Sequence, residues 1–492
     1  MSARRPSAVA RAARAAGLAC LVAAGLAPSS RPAAADAPAW AELEVPARVE
    51  GLKCVDADGD GVRDVLVVGG REVRGWRGAR DGLPAPAPTW TWRLPAAATF
   101  CWPGPPHVDG AVRTPMLLAL AGSQVLRLAP GRPPAVEEGL VADVPWADAR
   151  KAVLAEFVRG RGLVLPTPTG LRFVPDAVAA RGAGADLPLP RAVTFDPPGP
   201  FVEDGAEVEA SWPWPEVVAP GPAAPGGALV AFAADALHGV VLGDGGPTTF
   251  TRATAGLPTS GNLKDVLVDL TGDGVPDLVR EATTNETGTY AFVPVPSLAA
   301  GDGPLVPRTV LRLEGFQIPS DYVDLDGDGR KDFVVTTIEI DRNNVIRAVA
   351  QGRVTARTRA FLNRSATDPS TLFASKPDAE VASDIRVRIL FTFSGAIDVQ
   401  RSYTILATAD LDGDGRKDLV IRTPEGPLSV RRGTAAGVWD GEARSVAIPP
   451  VGDSPDVEGY VTEATGDRKD DLVLLYRAGA GGADRVYLVP SR

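Results

Sequence analysis

The residues of this chain best suited to chemistry are carboxylates packed four to a nine-residue segment, D-x-D-G-D-G-x-x-D. They occur as Asp56, Asp58, Asp60 and Asp64, then as Asp324, Asp326, Asp328 and Asp332, and again as Asp410, Asp412, Asp414 and Asp418. A fourth segment keeps Asp269, Asp273 and Asp277 but has Thr271 at position 3, and a fifth keeps Glu463, Asp467 and Asp471. Like charges at this density repel one another unless a cation sits among them. Positions 1, 3 and 5 can turn toward one centre. The backbone carbonyl at position 7 (Val62, Val275, Arg330 or Arg416) and the carboxylate at position 9 then complete an all-oxygen shell. Such a shell suits Ca2+ rather than a metal that takes His or Cys, so three to five calcium sites are expected. Gly61, Gly274, Gly329 and Gly415 at position 6 mark a sharp turn where a side chain is penalised. Arg468 takes that place in the fifth segment, so Glu463, Asp467 and Asp471 are expected to form a weak or empty site.

The opening D-x-D-x-D-G is shared with the EF-hand, which also needs a bidentate Glu at position 12 and flanking helices. Position 12 here is Val67, Arg280, Val335 or Ile421, and the segments run on as short β-branched stretches such as V-L-V-V and D-F-V-V-T-T. Those are strands, and the EF-hand is rejected. The loops are 213, 55, 86 and 53 residues apart, and the longest gap is about four of the shorter spacings. Within it His107-Val-Asp109, Val144 to Asp148 and the stretch around Pro220 are degenerate echoes that lack the ligands. One supersecondary unit of about 50 residues is therefore reused along the chain. Residues 336–408 interrupt the spacing with alternating stretches such as Ile385-Arg-Val-Arg-Ile389, expected to be elongated strands. No stretch beyond the N-terminus carries a helical period.

Residues 1–35 read as an export signal. Arg4, Arg5, Arg11 and Arg14 precede an apolar run from about Ala15 to Ala27, and Ala33-Ala34-Ala35 offers a cut before Asp36. Cys20 within that run allows the alternative of a lipoprotein anchored through it. No segment is long and apolar enough for a membrane span. Loss of the signal's five Arg moves the net charge from −10 to about −15, an acidity the loops largely account for, and nothing points to nucleic acid. In an oxidising compartment Cys54 and Cys101 form either a disulfide or two buried free thiols.

The loops and the D-L-V-V-type strand after each resemble the FG-GAP/VCBS repeat family, related to the integrin α-chain propeller. The resemblance covers most of residues 50–490 and implies an all-β, seven-bladed, possibly eight-bladed β-propeller in 36–492. It places each loop between the first two strands of a blade, with its Asp residues on calcium at one rim, and it makes Arg359-Ala-Phe-Leu-Asn363 a later blade strand. Closure of such a ring should pair Glu42–Val49 with the last blade beside Val486–Val489. With two His, His107 and His238, and no catalytic motif, the chain is read as non-catalytic. It is expected to be a secreted or surface monomer that binds a protein or glycan. Trp90-Thr-Trp92 and Trp212-Pro-Trp214 are expected to pack between blades, the commoner fate of such rings. They could also stack on sugars, which keeps a lectin-like propeller as the alternative, with a polysaccharide-degrading enzyme behind it.

Overall fold

The apolar run after each acidic loop is the second strand of a small antiparallel sheet. In Asp64–Gly69 every residue is buried. Val65 and Val67 pack with Trp76, Val473 and Leu475, whereas Leu66 and Val68 pack on the opposite side with Trp92 and Leu117. A strand covered on both faces needs apolar side chains at both parities, so D-V-L-V-V does not alternate. Asp277–Thr283, Asp332–Ile338, Asp418–Arg422 and Asp471–Arg477 are buried in the same way, apart from the half-buried Thr283 and Arg477 at their ends.

The computed structural model describes the chain from Trp40 to Ser491 with short breaks, except that between 142 and 227 only the strands are described. Among the described residues the strands form eight antiparallel sheets in chain order, spanning 51–93, 98–141, 156–188, 217–253, 262–314, 316–401, 405–446 and 456–489. Apolar clusters join the fourth sheet to the fifth, and each later sheet to the next. Two more join the eighth sheet to the first and the first to the second. The core thus lies between sheets rather than within one. A single four-stranded sheet could not bury both faces alone.

The chain's first strand completes its last sheet. Ala41–Leu43 pairs with Arg485–Val489 in the register Ala41↔Leu488 and Leu43↔Val486; of the expected Glu42–Val49 only Glu42 and Leu43 pair, and 44–49 is not strand. Arg485 Nε lies 2.8 Å from Glu42 Oε1, and Val49 N–H donates to Asp484 at 2.9 Å.

The loops at Asp56 and Asp269 belong to the first and fifth sheets, so the long gap spans four unit spacings, with three sheets between, as the spacing predicted. The His107 echo sits on a strand, Ala98–Asp109, that is joined to Val112–Ala121 with no nine-residue loop. The echoes near Asp148 and Pro220 lie outside the described residues, as do the export segment 1–35, Cys20 and Gly274. No helix among the described residues is long and apolar enough to cross a membrane.

The insertion holds long strands, Arg353–Phe361 and Ala379–Phe391, and also a helix, Arg342–Gln351, which the sequence reading missed. Among its described side chains Ala348 is buried and Ile346 exposed; the helix is short and its sequence, R-N-N-V-I-R-A-V-A-Q, mostly polar at its start. Arg347 ties it to Thr355 and Asp384, and Gly352 at φ +63° ends it.

Leu43 is 2 % exposed in the closing strand. Leu43→Ala should cost roughly 3 kcal/mol, read as a lowered melting temperature. An unchanged melt would mean that the closing strand contributes nothing to stability.

Candidate metal centres

Each acidic loop is held by its own ninth residue. Asp64 accepts the Ala57 N–H at 2.7 Å on one oxygen and the Gly78 N–H at 2.8 Å on the other. The first donor is position 2 of the loop, and the second lies just past the sheet's third strand. Asp277 repeats this with Leu270 and Val295, and Asp332 with Leu325 and Asn363. Asp418 does so with Leu411 and Gly433, and Asp471 with Ala464 and Ser491. All five carboxyls are 0–1 % exposed. Burial pushes Asp64 and Asp277 up to about 6 and Asp332 to about 7, and it raises Asp418 and Asp471 too. The bonded N–H groups oppose that rise.

Position 1 orders the turn. Asp324 accepts Gly327 N–H at 2.8 Å and Gly329 N–H at 2.9 Å, and Asp56 and Asp410 bind their equivalents alike. Both glycines are left-handed in the intact loops, at φ +79° and +89° in the Asp324 copy. Position 4 therefore requires glycine as much as position 6. Position 5 bonds the N–H of position 7, as Asp328 does with Arg330 and Asp273 with Val275. Arg468 holds the left-handed turn at φ +68°, alone among described non-glycine residues, so the fifth loop keeps its shape under strain.

The intact loops each gather three carboxylates whose oxygens lie within 4.8 Å of one another: Asp56, Asp58 and Asp64; Asp324, Asp326 and Asp332; Asp410, Asp412 and Asp414. The remaining predicted ligands have other partners. Asp60 meets Arg77, Asp328 meets Arg330, and Asp418 serves its two N–H groups. The donor set is all oxygen and fits a hard cation. Two buried oxygens at position 3 support the fit: Asp412 Oδ1 and Thr271 Oγ1 find no hydrogen-bond partner. The corresponding hydroxyl in the fifth loop, Thr465 Oγ1, is satisfied internally by Asp467 and Asp471.

The loops touch in succession. Asn363 Nδ2 donates to Leu270 O and to Lys331 O, and Lys417 N–H donates to Leu325 O. Asp470 N–H donates to Asp410 O, and Arg63 N–H to Glu463 O. Five loops thereby form one continuous arc in the order 269, 324, 410, 463, 56.

The FG-GAP repeat profile matches residues 402–438, which hold the Asp410 loop, its second strand and Arg432. The chain carries an FG-GAP repeat. No curated protein matches the chain in sequence. Among solved structures, BBS1N in complex with ARL6DN, soaked with mercury, is similar at 10 % identity and a TM-score of 0.37, covering 92 % of this chain and 98 % of that one. The lead-soaked form of that complex gives 12 % identity and a TM-score of 0.37 over 80 % of this chain and 96 % of that one. The Photorhabdus luminescens Tc holotoxin pore gives 13 % identity and a TM-score of 0.30 over 86 % of this chain and 16 % of that one.

Within the FG-GAP repeat and its counterpart in the first sheet, sequence reasoning missed Arg432 and Arg77, which come from outside the loops. Their one signal is a shared Arg-Gly pair after the third strand. Trp92 is 2 % exposed and donates to Ala129 O, so it packs between sheets, with Trp90 half-buried beside it. Trp212 and Trp214 lie outside the described residues. Cys54 is a free thiol, pushed by burial to about 11, so the Cys54–Cys101 disulfide is not formed here; the Cys101 side chain lies outside the described residues.

Asp471 holds a loop that lacks a carboxylate cluster, so Asp471→Asn isolates its structural role. It should cost about 1–3 kcal/mol in thermal unfolding; no loss would mean the two N–H bonds are dispensable. A pH dependence follows as well. Unfolded Asp titrates near about 4, whereas Asp64, Asp277 and Asp332 titrate near 6 to 7 when folded. The folded state holds the extra protons between those values, so stability falls as pH rises through that window. With divalent ions chelated, the melting temperature should be higher at about pH 5 than at about pH 8; the opposite trend would contradict this origin.

Proposed function

We propose that the protein is an exported, calcium-stabilised β-propeller of eight blades that acts as a non-catalytic scaffold for binding a protein or glycan. The observation that carries this reading is the repeated carboxylate cluster, three times over, on loops joined in one arc. Closure of the last sheet by the first strand and the shared cores between successive sheets support the propeller. The FG-GAP repeat supports a binding role.

Asp56, Asp58 and Asp64, the Asp324 set and the Asp410 set would hold calcium, with the Asp269 loop using Thr271 in place of one carboxylate. The ion supplies charge neutralisation and no chemistry of its own. With Kd about 10⁻⁴ M and millimolar calcium, each site adds roughly 1.4 kcal/mol. Four such sites give roughly 6 kcal/mol, comparable with the stability of an ordinary domain. A rim held this rigidly offers a fixed surface on which a partner can dock without ordering it first.

The test is a thermal melt in millimolar calcium and again in excess chelator. Chelation should lower the melting temperature substantially, and Asp326→Asn combined with Asp412→Asn should reproduce most of that drop. No shift under chelation would remove calcium from the account.

A further inference from the structure

Two arginines end the third strands of their sheets at equivalent places. Arg77 follows Glu72–Trp76 and precedes Gly78, which donates to Asp64; Arg432 follows Leu428–Arg431 and precedes Gly433, which donates to Asp418. Each guanidinium lies on the position-3 carboxylate of its loop. Arg77 Nε is 2.7 Å from Asp58 Oδ2, and its Nη2 is 2.9 Å from Asp60 Oδ2. Arg432 Nη1 is 3.2 Å from Asp412 Oδ2. The sixth sheet differs: the equivalent residue, before Asn363, is Leu362. Among the described residues Asp326 makes no ion pair; the loop's own Arg330 pairs with Asp328 instead, so position 3 is left without a guanidinium.

We propose that Arg77 and Arg432 are tethered counter-cations that compete with calcium for Asp58 and Asp412, leaving the Asp324 loop as the tightest calcium site. This rests on the calcium reading above. Arg77 takes Asp58 Oδ2, and Arg432 takes Asp412 Oδ2 while Asp412 Oδ1 keeps no partner, so the competition is electrostatic: two cations on one small loop repel. The arginines therefore hold the metal-free loops together and weaken their affinity for the ion. Both can be displaced. The Arg77 side chain is 52 % exposed and the Arg432 side chain 34 %. Asp412 and Arg432 also border a cavity of about 310 Å³ between the seventh and eighth sheets, which leaves room for the guanidinium to turn away. The calcium rim is thus graded: the Asp324 loop fills first, and the Asp56 and Asp410 loops fill at higher calcium.

Calorimetric calcium titration of the purified protein tests this. In an Asp326→Asn background, which silences the Asp324 loop, Arg77→Gln and Arg432→Gln should each tighten one site by roughly fivefold, the size of a unit-charge interaction near 4 Å in water. In the otherwise unmutated protein, Leu362→Arg should weaken the tightest site by a similar factor. Both Gln variants should also melt lower than their parent in chelator, which a simple gain in loop order would not produce. Calcium uptake with affinities unchanged or weakened in the Gln variants overturns the competition alone. No uptake by the unmutated protein overturns the calcium reading with it.

Discussion

The rest of the structure hangs on one interaction, the buried carboxylate at position 9 that grips two backbone N–H groups. One donor belongs to the start of the acidic loop and the other to the chain just beyond the third strand, about fifteen to thirty residues downstream of the carboxylate. A charge held in the interior is costly unless it is hydrogen-bonded. The two N–H groups meet that need, and in return the carboxylate fixes where the loop sits above its sheet. The bond recurs in the fifth loop, where Arg468 and Thr465 have altered the rest of the pattern. Its persistence there marks it as a structural requirement separate from any ion.

A division of labour among the acids follows. Position 1 ties down two left-handed glycines, position 5 caps the turn, and position 9 anchors the whole. Position 3 is left with capacity to spare, and the orphaned oxygens of Asp412 and Thr271 make that visible. In the first and seventh sheets an arginine has been set against that capacity; in the sixth it has not. Loops with nearly the same sequence therefore differ in their electrostatics, because the difference is supplied from another strand.

The arc of loops gives these local sites a collective consequence. Backbone bonds from Arg63, Lys417 and Asp470, and the Asn363 side chain between the first two loops of the arc, join each loop to the next, so ordering one restrains its neighbours. Beneath them the shared apolar cores leave little freedom for one sheet to shift against the next. The surface above is consequently a fixed display built on a repetitive scaffold.

Much of this was legible in the chain. The nine-residue spacing, the glycines at position 6 and the apolar run that follows are all local, and local covalent spacing determined the loop, the strand after it, the period of about 50 residues and the all-β class. The short helix Arg342–Gln351 was not legible, because it is only ten residues long within a stretch of alternating strands and its docking relies on Asp384 from a distant strand. The burial of Trp92 agrees with the packing reading of the Trp-x-Trp pattern, although the pattern alone does not say which sheet receives the ring. What only the tertiary structure decided were the interactions made between strands: the second grip of each position-9 carboxylate, the linkage of the loops, and the arginines on Asp58 and Asp412. Their partners lie too far apart in sequence for spacing to reveal them, and folding alone brings them within reach.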